Sequence, residues 1–108
     1  MVNESVLNGV RKYLRALQDQ GVVVKFGVVF GSQVGGNPNI WSDIDLLVVS
    51  PKYDKQRNRE DINLLWRLAA RTDNRIEPIP CGEQQWYDDD ASPIIEIARR
   101  DGETVTIS

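Results

Sequence analysis

Histidine is absent from this 108-residue chain. That excludes Ser-His-Asp and Cys-His nucleophile pairs, histidine general bases and histidine-containing zinc sites. Cysteine occurs once, as Cys81, so no internal disulfide and no cysteine-rich metal cage can form. A lone thiol of this kind is expected to be a buried small hydrophobe in a reducing, cytoplasmic setting. No apolar run approaches the ~18 residues of a membrane span, and the opening residues do not read as a secretory h-region. An excess of positive charge is also missing: 13 Lys and Arg stand against 16 Asp and Glu, a net charge of −3. This argues against generic nucleic-acid binding through a basic surface, and no direct DNA binding is expected. Any chemistry is left to carboxylates, hydroxyls, Lys and Arg, backbone amides and a borrowed metal.

What remains suits a soluble globular protein, with 41% apolar and 27% charged residues. The length predicts one domain over residues 1–108, without repeat, linker or low-complexity tract. Residues 3–20 read as an amphipathic helix, because Val6, Leu7, Val10, Tyr13, Leu14 and Leu17 recur at spacings of three and four. Asn3 is its expected N-cap and Gly21 its stop, with Gly9 weakening it slightly. The run 22–30 predicts a strand buried on both faces, which ends at Gly31-Ser32. Residues 33–42 predict a loop. Residues 43–50 predict a second strand, and residues 55–71 a second helix with Ile62, Leu65, Trp66 and Ala69 on its apolar stripe. Residues 75–81 predict an edge strand, since Pro78 and Pro80 cannot donate to a ladder. Residues 82–91 predict an acidic loop. Ser92-Pro93 opens a third helix that ends at Gly102, and residues 103–108 form a short strand or tail. The order α-β-β-α-β-α is that of a small layered α/β or α+β fold.

One constellation carries chemistry. A buried-type strand runs into Gly31-Ser32, and after ten further residues comes Asp43-Ile44-Asp45, which opens an apolar strand. Strand residues alternate faces, so Asp43 and Asp45 point the same way, ~6–7 Å apart, while Ile44, Leu46 and Val48 point to the other face. Two carboxylates so placed repel each other and resist burial. No Lys or Arg lies between residues 26 and 51 to neutralise them. A divalent cation would serve, and hard oxygen ligands favour Mg²⁺ or Mn²⁺. A glycine after a strand lets the backbone approach a ligand, and the amides of the following turn with the Ser32 hydroxyl can cradle phosphate oxygens. Together these features describe a site for a Mg²⁺-nucleoside triphosphate. Residues 31–36 imitate half of a P-loop, but Asn37-Pro38 replaces the required Lys-Ser/Thr. An EF-hand fails too, because the acidic pair is followed by a strand.

Gly31-Ser32, ten residues and Asp43-Ile44-Asp45 resemble the signature of the nucleotidyltransferase superfamily typified by DNA polymerase β. The chain's length is similar to that of the minimal nucleotidyltransferase branch, often encoded beside a HEPN-domain partner. The resemblance covers about residues 20–80 by motif. It implies an α+β palm, a small mixed sheet flanked by helices. It implies two Mg²⁺ ions held by Asp43 and Asp45, ATP as substrate, and phosphate held by Gly31 and Ser32. It implies a third carboxylate on a neighbouring strand, as metal ligand or general base, and Glu77 is the matching position. Asp73, Glu83 and Asp88 to Asp90 are the fallback positions. In antitoxin members the acceptor is a tyrosine of the HEPN toxin, which receives AMP and is inactivated. A contact-only antitoxin and a nucleotidyltransferase for an antibiotic or sugar hydroxyl are the alternatives. One departure stands out: many relatives carry an arginine where this chain has Gly35.

Other residues are read more plainly. Lys52, Lys55 and Arg57 follow the second strand and are expected to be solvated rather than to reach phosphates. Trp66 is expected in the core. Trp41 and Trp86 are expected in loops near the site, covering the core rather than stacking on a base. Self-modification of Tyr13, Tyr53 or Tyr87 is not expected.

Overall fold

The computed structural model describes residues 2–31 and 43–107. Helix α1 spans Glu4–Asp19, and its start is fixed by Asn3, whose side chain accepts from the Val6 amide at 2.9 Å. Its stop is Gly21 in the left-handed region, φ +91°. Strand β1 spans Phe26–Phe30 and β2 spans Ile44–Val49. A 3₁₀ turn over Pro51–Asp54 follows, then α2 over Arg59–Thr72, β3 over Ile76–Cys81, α3 over Glu83–Asp88, α4 over Pro93–Asp101 and β4 over Glu103–Val105. Helix α2 begins with a capping box: Asn58 accepts from the Asp61 amide and Asp61 from the Asn58 amide.

The strands form one mixed sheet in the order β3-β2-β1-β4. β1 pairs antiparallel with β2 and β4, while β2 pairs parallel with β3. A parallel pair needs a crossover, and α2 supplies it. β3 with its two prolines is an edge, as the sequence predicts. The α+β fold with a small mixed sheet is the expected one.

Each face of the sheet carries its own core. Val29, Ile44, Leu46, Val48 and Ile76 pack against α1 and α2. The approach of α1 is close enough that a Cβ on Gly27 would touch Leu14 and Leu46. Tyr13 ties the two helices together, its hydroxyl donating to the Leu65 carbonyl at 2.9 Å within the core. The opposite face carries Val28, Phe30, Leu47, Val49 and Cys81, covered by Ile95 and Ala98 of α4. Cys81 is fully buried, as expected, and burial pushes its thiol up to about 11.

Four expectations need correction. Residues 22–25 are not strand: β1 starts at Phe26, paired with Val49 at the end of β2, and beyond that pair Lys25 adds a bond, its amide donating to the Val49 carbonyl at 2.9 Å, before Pro51 turns the partner strand away. Helix α2 begins at Arg59 rather than 55, because Pro51 first opens the 3₁₀ turn. Trp66 is 49% exposed; the buried stripe is Leu65, Leu68 and Ala69, which turns Trp66 towards solvent. The acidic segment 82–91 contains a helix, α3. Its first amides, of Gln84 and Gln85, are capped by the Asp54 carboxylate at 2.9 and 3.1 Å. Gly82 makes this possible, since a Cβ there would collide with Asp54. Among the described residues no helix is long and apolar enough to cross a membrane.

Candidate functional site

Register brings the acidic residues together. Asp45 pairs with Phe30 on one side and with Glu77 on the other. Strand alternation puts Asp45 and Glu77 on the face that carries Leu47, Val49, Ile79 and Cys81 further along the same strands. Asp43 lies two residues before Asp45 and is exposed. Ile44, between the two aspartates, is completely buried on the other face, and its amide donates to the Arg75 carbonyl at 2.8 Å. Burial of Ile44 thus aims both aspartates away from the α1–α2 core. The hydrogen bond to Arg75 fixes the start of β3, and so places Glu77 opposite Asp45.

The electrostatics follow from that register. The Glu77 carboxyl is pushed up from its ordinary range, first by burial and then by the charges of Asp43 and Asp45 and hydrogen bonding with both. Gly31 closes the patch on the β1 side. Its φ of +77° is a glycine conformation, and a Cβ there would collide with the Asp45 carboxylate. Among the described residues no three His, Cys, Asp or Glu side chains already converge as a metal-ligand set. The donor chemistry nevertheless suits a hard divalent cation: carboxylate oxygens from adjacent strands, and mutual repulsion that a cation would relieve. Asp43, Asp45 and Glu77 are the residues that could hold such an ion. Ser32, the other phosphate-binding candidate, lies outside the described residues, as do Gly35 and Trp41.

The fallback carboxylates are occupied or distant. Asp73 sits at the same end of the sheet, but Arg75 grips it with two nitrogens at 2.9 and 2.6 Å, which holds its carboxyl below the ordinary range. Glu83 faces Lys25 at 4.0 Å, beyond the other end of β3. Asp89 accepts from the Ala91 and Ser92 amides at the start of α4, and Asp88 and Asp90 are exposed.

The chain's direction removes several other candidates. Lys52, Lys55 and Arg57 follow the far end of β2, a six-residue strand that spans about 20 Å from Asp43's end. Lys52 pairs with Asp61 at 3.3 Å, and Arg57 donates to the Tyr53 carbonyl and to Gln85. Trp86 is on α3 rather than in a loop. It packs edge-on against Phe26, ring centroids 5.7 Å apart, with the Arg99 guanidinium over its ring. Phe26 lies at the opposite end of β1 from Phe30, Asp45's neighbour, so Trp86 covers the core and stands away from the site. Tyr13 and Tyr53 are buried, which excludes both as accessible acceptors in the folded chain.

Sequence reasoning missed Arg75. Nothing in its spacing marked it, yet its side chain immobilises Asp73 and its carbonyl anchors Ile44. The local signal was Asp73-Asn74-Arg75 at the mouth of a predicted strand, which the Pro-rich segment behind it obscured.

No curated protein matches the chain significantly. The nucleotidyltransferase domain family does, over residues 8–101, a span that takes in most of α1, Gly31, both aspartates, Glu77 and α4. Together with the mixed sheet and the carboxylates at its end, that match establishes that the chain belongs to the nucleotidyltransferase family.

Proposed function

We propose that this protein is a Mg²⁺-dependent nucleotidyltransferase that moves AMP from ATP to the hydroxyl of a tyrosine on a HEPN-domain toxin, and so acts as its antitoxin. The observation that carries the catalytic half is the register of Asp45 against Glu77, with the Asp45 carboxylate seated against Gly31, where a Cβ would displace it. Family membership supports nucleotidyl transfer. The protein acceptor rests on the resemblance to minimal nucleotidyltransferases.

In this reading Asp43 and Asp45 would hold Mg²⁺, Gly31 with Ser32 would hold the triphosphate, and Glu77, the residue read as metal ligand or base, would take the acceptor proton. When bound there, Mg²⁺ would supply charge neutralisation at the phosphates and would lower the pKa of the acceptor hydroxyl. The tyrosine oxygen then bonds to the α-phosphorus, the α–β anhydride bond breaks, pyrophosphate leaves, and Glu77 accepts the tyrosine proton. Gly35, in place of the arginine common among relatives, points to the alternative of neutralisation by contact alone.

The test is incubation with ATP labelled at the α-phosphate, Mg²⁺ and a HEPN-domain protein encoded beside this chain. Label on the partner that disappears with Asp43→Ala/Asp45→Ala supports the reading. Full neutralisation of the toxin by that double variant, without label, supports the contact-only antitoxin. Label transferred to a small antibiotic or sugar and never to protein overturns the protein acceptor.

A further inference from the structure

Helix α1 does more than cover the sheet. Asn8, Arg11, Lys12, Arg15, Ala16 and Asp19 form its outward stripe, and with Thr72 at the end of α2 they line a groove of about 620 Å³. Three cations fall within five residues of a chain whose net charge is −3. Residues three and four apart on a helix are neighbours, so Arg11, Lys12 and Arg15 form one cluster. Among the described residues none of the three is in a salt bridge. Arg15 makes one exposed hydrogen bond, 3.4 Å to the Ile107 carbonyl. The core packing of α1 uses Val6, Val10, Tyr13, Leu14 and Leu17, and of the three cations Lys12 also acts on Asp73, whose carboxyl its charge helps to lower.

We propose that this groove docks an acidic polypeptide segment of a partner protein. The charge pattern selects that occupant. From Asn8 to Asp19 the stripe runs about 16 Å at 1.5 Å per residue, with the cations in its middle and a carboxylate, Asp19, at its end. A nucleic acid carries a phosphate at every step and would set one against Asp19. A polypeptide can place acids over the cations and a neutral or basic residue over Asp19. Ala16 and the aliphatic stems of the arginines give the floor an apolar part, which side chains can use. A second copy of this chain is a poorer occupant: in its acidic run at 88–90, Asp89 is already engaged by two backbone amides. The inference goes beyond the proposed transfer and does not depend on it, because the groove shares no residue with Asp43, Asp45 or Glu77.

The test uses the full chain and a fluorescein-labelled twelve-residue poly-glutamate peptide, followed by anisotropy at low and high salt. Binding should be clear at low salt and weaken in 0.5 M NaCl. Arg11→Glu/Lys12→Glu/Arg15→Glu should weaken it about tenfold or more, as expected for the loss of three exposed pairings. Asp19→Lys should strengthen it a few-fold, and it guards against misreading a variant that merely loses helix, which circular dichroism reports. Asp43→Ala/Asp45→Ala should bind as the unaltered chain does, so failure of the docking surface and failure of the catalytic reading are separable. Absence of poly-glutamate binding, or equal affinity in the triple variant, overturns the proposal. So does tighter binding of a labelled oligouridylate of equal length. A dimer in sedimentation that the triple variant dissolves would assign the groove to a second copy instead.

Discussion

The two faces of the sheet are built from the same four strands, yet they differ at one end. On the α1–α2 side the inward residues stay apolar along the strands: Ile44, Leu46 and Val48 on β2, and Ile76 opening β3. On the α4 side the same strands start acidic and become apolar, Asp45 before Leu47 and Val49, Glu77 before Ile79 and Cys81. Stability alone would continue the apolar pattern, because paired carboxylates repel and resist desolvation. One face therefore holds the fold together, and the end of the other accepts a cost in stability in exchange for a site. Gly31 at the mouth of β1 belongs to the second category, since its left-handed backbone and missing Cβ serve the Asp45 carboxylate.

Breaking the apolar face should have the largest effect on stability. Leu46→Ala removes a fully buried side chain facing α1 and should destabilise the protein by about 2–5 kcal/mol in urea unfolding. Asp73→Ala comes next. It releases the partly buried Arg75 at the site end of the α1–α2 layer and should lower stability by about 1–3 kcal/mol. Because the folded Asp73 carboxyl is held below its ordinary value, its contribution is present above that value and lost as pH falls through the folded one. The difference between wild type and Asp73→Ala should therefore shrink on acidification below pH ~4.

Gly31→Ala tests the site end and should destabilise by about 1–2 kcal/mol, the cost of a left-handed backbone for an L-residue. Its effect on nucleotidyl transfer should be larger than this suggests, since the methyl displaces Asp45. Glu77→Gln should have the smallest effect and the opposite sign. A carboxyl whose folded pKa is raised favours folding below its unfolded pKa, and that contribution is lost as pH rises through the folded pKa. At pH 7 without divalent cation, Glu77→Gln should raise the unfolding midpoint slightly, by less than about 1 kcal/mol for this half-exposed group. The gain should disappear on acidification, while transfer activity falls. A Glu77→Gln protein that is less stable at pH 7 would show that the carboxylate is paired rather than repelled.

What the sequence revealed was what is local. The end of the strand at Gly31, the alternation of Asp43-Ile44-Asp45 and the N-cap at Asn3 each depend on residues a few positions apart. The misses depend on distant ones. β1 starts at Phe26 because its partner β2 ends at Val49, just before the turn at Pro51. Helix α3 stands in the acidic segment because Asp54, thirty residues earlier, caps it. Trp66 was placed inside because Ile62, Leu65, Trp66 and Ala69 form a plausible stripe; a rotation of the helix by about one residue selects Leu65, Leu68 and Ala69 instead, and only packing against α1 decides between them. The pairing of Glu77 with Asp45 lies between these cases. A third carboxylate was expected there by resemblance, but the parallel register that places it depends on the crossover through α2.

The most direct measurement is a titration of Mn²⁺, followed by its electron paramagnetic resonance signal, into the protein with a non-hydrolysable ATP analogue. Wild-type protein should take up the ion, and Asp45→Asn should lose that uptake without losing stability. Equal uptake by the two proteins would contradict the claim that the carboxylates of β2 and β3 form a cation site.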